Sequence, residues 1–177
     1  MVEKGTENFI GNELEKLEAV DLVDKWRFDL GLSVEEINVE KPWGAYWKIK
    51  QSQTGYFLNL FFPEIKESLE DVGQNLSPKF LLVAPHSRLS WQYHNRRVEE
   101  WVVVCGQVGV VTSDDDTEKE EIVMREGGRI SLDRGIRHRL MGKDGWGLVA
   151  EIWVHSEPEN PSDEEDVVRL QDDYARV

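Results

Sequence analysis

The chain has 177 residues, 40% hydrophobic and 10% aromatic with seven tryptophans, which suits one folded domain with a real core and excludes a disordered chain. Its formal net charge of −14 argues against nonspecific binding to nucleic acid or an anionic membrane, and it requires a local cluster of cations wherever an anionic ligand is held. No stretch approaches the ~20 apolar residues of a membrane span, the start Met-Val-Glu-Lys-Gly-Thr-Glu is unlike a signal peptide, and a single cysteine offers no disulfide framework, so a cytoplasmic setting is expected.

Residues 7–30 place Phe9, Ile10, Leu14, Leu17, Val20, Val23 and Trp26 at spacings of three and four. This predicts an amphipathic helix, interrupted near Asp21 and closed by Gly31. It belongs to an N-terminal helical extension, residues 1–36, that lays its stripe on the main domain, residues 37–177, or on a second copy. From Ile37 to Phe62 the text is aromatic and β-like, with Pro42-Trp43-Gly44 punctuating the entry to the first strands. Pro63–Asp71 predicts a short helix, Asn75-Leu76-Ser77-Pro78 a loop, and Lys79–Pro85 a strand.

The stretch from Ser90 to Gly106 carries the chemistry. Side chains alternate faces along a strand, so Ser90, Gln92 and His94 share one face, and after a polar break Glu99, Trp101, Val103 and Cys105 share one again. A hairpin turning near Asn95–Arg97 would aim Gln92, His94 and Glu99 at one point. An amide oxygen, an imidazole and a carboxylate meeting there make an open site for a divalent cation, with His138 as the second imidazole. Glu99 points with apolar neighbours and must be paired or bound to a cation. His86 and His155 lack such surroundings and read as loop or strand-end residues.

Beyond Gly106, strands are predicted at Gln107–Thr112, Ile122–Met124, Arg129–Leu132, His138–Met141 and Leu148–Val154, separated by glycine turns, which describes a sandwich or barrel. Ser113–Glu121 is an acidic loop without the glycine and spacing of a calcium loop. Glu151 interrupts a strand otherwise apolar on both faces; it is either an acid/base group or the partner of an arginine. Ser162-Asp163-Glu164-Glu165 reads as a capping box that opens a helix through about Gln171. Arginines gather around these motifs, and the guanidinium fork suits phosphate. Arg97 has the parity of Glu99, whereas Arg137 and Arg139 face away from His138.

The spacing Gln-x-His-x4-Glu with a later His near a Gly turn resembles the two-part metal motif of cupins, with Gln92 where a first His is usual. More narrowly, Ser90, Gln92, His94, Arg97, Glu99, Trp101 and Gly106 resemble, in register, the cupin domain of type II phosphomannose isomerases. Lys41-Pro42-Trp43-Gly44, His138-Arg139-Leu140, Glu165-Asp166-Val167-Val168-Arg169 and Asp172-Asp173-Tyr174-Ala175-Arg176 extend the resemblance over residues 41–177. Glu100 stands where that family usually has His, and Ala175 where it has Gly.

The resemblance implies an all-β cupin jelly roll from about Val39 to Val154, flanked by N-terminal and C-terminal helices, in a homodimer. It implies a metal held by Gln92, His94, Glu99 and His138, zinc first, with manganese, cobalt or iron also compatible. It implies interconversion of mannose 6-phosphate and fructose 6-phosphate, with Glu151, Arg97 and Arg169 as catalytic-site residues, the arginines holding phosphate. Many type II enzymes join the cupin to a nucleotidyltransferase domain with a Gly-rich nucleotide loop. Neither is present in this sequence, so guanylyl transfer is not expected of it. The insertion from Gln51 to Pro78 is expected to reshape the substrate pocket, which leaves another sugar phosphate, such as a heptose phosphate, as an alternative. A noncatalytic sugar-phosphate-binding cupin is the other.

Overall fold

The computed structural model describes residues 14–70, 76–157 and 159–175, and every structural statement below concerns these. The strands are β1 (Val34–Asn38), β2 (Gly44–Ile49), β3 (Leu76–Val83), β4 (Trp91–Tyr93), β5 (Arg97–Cys105), β6 (Gln107–Ser113), β7 (Ile122–Arg125), β8 (Arg129–Leu132), β9 (Arg137–Gly142), β10 (Gly147–His155) and β11 (Val168–Gln171). The helices are α1 (Lys16–Asp29), α2 (Thr54–Phe61) and α3 (Lys66–Glu70). All pairings are antiparallel, in a six-stranded sheet ordered β1-β2-β3-β10-β5-β8 and a five-stranded sheet ordered β11-β4-β9-β6-β7. Together they form a jelly roll.

The six-stranded sheet is buried on both faces along β2, β3 and β10, which explains why β10 reads as apolar on both faces. Its inner face contributes Tyr46, Leu81, Val83, Trp101, Val103 and Val149 to a core shared with Val108, Val110 and Leu140 of the other sheet. Its outer face contributes Ala45, Trp47, Phe80, Leu82, Ala150 and Ile152 to a second core, covered by α1 and α2. Helix α1 turns Ala19, Val20, Val23 and Trp26 onto that face and runs unbroken through Asp21. Gly31, at φ +75°, follows as the left-handed residue that ends it. Phe9 and Ile10, read as the start of this stripe, lie outside the described residues.

Several expectations are corrected. The aromatic run before Pro63 is helical, because Thr54, Phe57, Leu58 and Phe61 fall at i, i+3, i+4 and i+7 and share a buried face. That face packs Phe57 and Phe61 against Phe80, with ring centroids 5.1 and 5.2 Å away, on the outer side of the sheet. The described residues of the insertion therefore thicken the outer core, and none of them lines the cavity between the sheets. Residues 168–171, expected in a helix, form β11: β4 presents an open edge, and Val168 and Arg169 pair with Tyr93 and Gln92. The sheets thus reach beyond Val39–Val154, to Val34 at one end and Gln171 at the other. Pro78 also lies inside β3, where β2 pairing has already ended at Lys79 and β10 is the one paired neighbour among the described strands.

The remaining corrections concern Ser90–Gly106. Strands β4 and β5 are not a hairpin; the chain crosses between them from the five-stranded to the six-stranded sheet. A register shift between β5 and β10 pairs Leu148 with Cys105 and Val149 with Val103. Cys105 therefore turns into the outer core, away from Glu99, where burial pushes its thiol up to about 12. The turn after it needs Gly106, at φ +74°, because a Cβ there would meet the Trp146 carbonyl oxygen at 2.3 Å.

Candidate metal centre

The two sheets face each other, and this arrangement aligns the site. Gln92 on β4 and His138 on β9 are register partners in one sheet, while Glu99 projects from β5 in the facing sheet. His94 follows β4 at the crossing. His94 Nε2 lies 3.1 Å from Glu99 Oε1, and His138 Nε2 lies 3.5 Å from Glu99 Oε2. One donor atom from each of these three residues falls within 4.8 Å of the others, and all three residues are buried.

The hydrogen bonds around the two rings fix which nitrogens face Glu99. Nδ1 of His94 donates to the carbonyl oxygen of Asp166 at 2.7 Å, and Nδ1 of His138 donates to that of Ile136 at 2.9 Å. A carbonyl only accepts, so each Nδ1 carries the proton and each Nε2 of a neutral ring presents a lone pair. His138 Nε2 is buried without a hydrogen bond. Burial, opposed by Glu99, lowers the His138 pKa to about 4, so this ring is neutral at neutral pH. Two imidazole lone pairs and a carboxylate crowd together, and such a set is stabilised by a cation.

The amide of Gln92 lies beside this set. As placed, Gln92 Oε1 accepts from Ser90 Oγ at 2.5 Å and its Nε2 lies 3.4 Å from His94 Nε2. Rotating the amide by half a turn keeps a bond to the Ser90 hydroxyl and presents the oxygen beside His94. The donors then fit a divalent ion of the zinc, manganese, cobalt or iron type.

Arg97 is the cation the structure already supplies. Its Nε donates to Glu99 Oε1 at 2.8 Å, and its Nη2 donates to His94 Nε2 at 3.1 Å. Its Nη1 donates to Ser162 Oγ and the Asp163 carbonyl, and the guanidinium lies 3.6 Å over the Trp153 ring. Burial by itself raises the Glu99 pKa, but the Arg97 guanidinium beside it holds the carboxyl well below its usual range. Arg97 therefore braces the cluster with most of its N–H groups engaged.

Glu151 enters the same cleft from β10, register partner of Trp101 on β5 and of Lys79 on β3. It is 3% exposed and accepts from Trp101 Nε1 at 2.9 Å. Burial, with the nearby Glu99 charge, raises its pKa to about 8 against the opposing pull of Lys79 and Arg97. Arg169 lines the cleft from β11, and its Nε is buried without an acceptor. Arg137 and Arg139 stay outside, bound to Asp116 and Glu118 of the acidic loop. His155 sits at the end of β10, bonded to Ser77 and Ser162, and His86 lies in a turn at φ +56°.

Sequence reasoning missed two groups. Lys79 is 3% exposed, lines the cleft and pairs with Glu164 at 2.5 Å. The parity argument applied to Glu151 would have found it, since Lys79 shares its face with Leu81 and Val83. Asp166 is the second: its carboxylate accepts from the backbone N–H of Asn95 and Arg96 and from Ser162 Oγ. It thereby seats the tail over the crossing and delivers the carbonyl that orients His94.

An antiparallel jelly roll with an inward His-Glu-His set in a cleft between its sheets is a cupin. Similarity to solved structures agrees on the fold: a tryptophan-to-phenylalanine variant of oxalate decarboxylase from B. subtilis matches with a TM-score of 0.54 at 12% identity, over 76% of this chain and 30% of that one. Within that class, the chain belongs to the family described as mannose-6-phosphate isomerase C-terminal, whose model matches residues 57–172. It is 30% identical over 139 residues to the xanthan biosynthesis protein XanB of Xanthomonas campestris pv. campestris (strain B100), covering 78% of this chain and 24% of XanB. It is 28% identical over 139 residues to the alginate biosynthesis protein AlgA of Pseudomonas aeruginosa, and 30% to a mannose-1-phosphate guanylyltransferase of Escherichia coli, covering 78% of this chain and 23% of each relative. The chain thus spans about a quarter of the length of these curated relatives. None of its described helices is long and apolar enough to cross a membrane.

Proposed function

We propose that the chain is a metal-dependent aldose–ketose isomerase of a sugar phosphate, with mannose 6-phosphate and fructose 6-phosphate as its substrate pair. The observation that carries this reading is one cleft that combines a cation-competent donor set, a buried acid with pKa of about 8 and the buried, unsatisfied Nε of Arg169. Family membership narrows the ligand to the sugar-phosphate class.

Gln92, His94, Glu99 and His138 would hold the ion, which when bound polarises the sugar's carbonyl and hydroxyl oxygens while charge develops. The side chains of the cleft do the rest. Glu151 lies close enough to neutrality to work in both directions: its carboxylate takes the proton from one of C1 and C2, and its acid returns it to the other. Arg169 anchors the phosphate, and Arg97 adds positive charge while keeping Glu99 ionised and in place. Trp43, Tyr46, Trp101 and Trp153 wall the cleft and exclude water from the proton transfer.

The test is solvent deuterium incorporation. Metal-loaded protein in deuterated water should place deuterium at C2 of recovered mannose 6-phosphate. Arg169→Ala should lower kcat/KM by roughly tenfold or more, the value of one charge-assisted phosphate contact. Glu151→Gln should reduce turnover with metal content unchanged. Absence of exchange with mannose 6-phosphate and a panel of other sugar phosphates would overturn the isomerase and favour a cupin that only binds.

A further inference from the structure

We propose that Lys79 is an anion-binding residue of the cleft and that Glu164 is its placeholder, a carboxylate displaced by the phosphate of the ligand. The inference rests on the sugar-phosphate reading above and adds a residue pair to it.

The geometry is asymmetric in a telling way. The Lys79 side chain is 4% exposed, whereas that of Glu164 is 59% exposed, although the two meet at 2.5 Å. The ammonium lies 3.6 Å over the Trp153 ring and 5.1 Å from the centroid of the Tyr46 ring. Aromatic faces attract a cation but offer no acceptor atom of carboxylate strength, and Glu164 is the hydrogen-bond acceptor recorded for this ammonium among the described residues. Lys79 cannot leave without losing both rings. Glu164 can: it stands on the irregular stretch between β10 and β11, and its side chain already reaches solvent.

The surroundings suit an incoming anion. Arg169, with its buried and unpartnered Nε, and Lys41 line the same cleft as Lys79. A phosphate brings more acceptor oxygens and more charge than one carboxylate, so it can satisfy Lys79 and Arg169 together. Swinging Glu164 outward also removes a negative charge from beside the anion. The tail need not unseat, because Asp166 remains bonded to Asn95, Arg96 and Ser162.

The experiment is calorimetric titration of the full chain with inorganic phosphate and with mannose 6-phosphate, for wild type, Glu164→Gln, Lys79→Met and the double variant. Removing the competing charge in Glu164→Gln should tighten phosphate roughly threefold or more, the net effect of about one solvent-exposed ion pair. Lys79→Met should weaken it roughly tenfold or more. The double variant should bind like Lys79→Met, with no gain from the second substitution. Unchanged or weaker binding in Glu164→Gln would overturn the proposal, and this exposed position carries the test even if Lys79→Met fails to fold. Tight binding by a folded Lys79→Met would overturn it as well. If deuterium exchange occurs while these substitutions leave binding unmoved, the isomerase stands and the Lys79 assignment falls. If binding follows the predicted pattern without exchange, the reverse holds. Wild-type protein that binds neither ligand overturns both.

Discussion

Replacing Glu151 by Gln should stabilise the metal-free protein, and increasingly so with rising pH. In the fold the Glu151 carboxyl ionises at about 8, against 4.5 for an ordinary glutamate. A group whose pKa is raised on folding contributes stability below its unfolded value and loses it as pH rises to the folded value. Between those limits the folded state holds one more proton than the unfolded state, so stability falls by about 1.4 kcal/mol per pH unit. Over the interval from 4.5 to about 8 this amounts to roughly 5 kcal/mol as an upper bound, reduced where water or the Lys79 ammonium relaxes around the charge. Gln cannot ionise, keeps the shape and can still accept from Trp101 Nε1. Urea unfolding in the presence of chelator at pH 5, 7 and 9 should show nearly equal stabilities at pH 5. By pH 9 the variant should lead by about 2–5 kcal/mol. Parallel pH profiles for the two proteins would refute the reasoning, because they would mean that Glu151 ionises in the fold as readily as in the unfolded chain.

Three further outcomes follow from the packing and the donor set. His94→Ala should remove stoichiometric zinc binding, read by elemental analysis after dialysis, while the circular dichroism spectrum stays that of the parent. Asp166→Ala frees two backbone N–H groups and Ser162 from their acceptor, so unfolding should cost about 2–3 kcal/mol less, and zinc affinity should drop about 10–100-fold as His94 loses its fixed orientation. Phe57→Ala empties a fully buried site against Phe80 and should destabilise by about 3–5 kcal/mol in chemical denaturation, without changing zinc affinity, because α2 lies on the outer face of the sheet.

Much of the site was legible because strand alternation is fixed by backbone geometry. Period two assigns Gln92, Glu99, His138 and Glu151 to inward positions whatever the strands pair with, and the expense of burying a lone carboxylate makes Glu99 and Glu151 conspicuous. The same argument places Arg137 and Arg139 outside. What alternation cannot supply is pairing. Whether β4 and β5 form a hairpin or cross between sheets depends on edges hundreds of atoms away, and the crossing makes Gln92 and Glu99 face each other instead of lying side by side. One register shift against β10 is enough to send Cys105 to the outer core.

The tail and the insertion show the limit most plainly. Local preference favours a helix after Ser162 and strands in the aromatic run before Pro63, but such preferences amount to about 1 kcal/mol per residue or less. An open edge on β4 offers backbone hydrogen bonds to residues 168–171, and an uncovered outer face offers burial to Phe57, Leu58 and Phe61. Those gains outweigh the local terms. The sequence by itself determined which side chains point inward and which charges must find partners there. The tertiary structure alone decided which distant partners they meet: Lys79 with Glu164, and Asp166 with the crossing that holds His94. These contacts span up to 85 residues of chain, and no local preference encodes them.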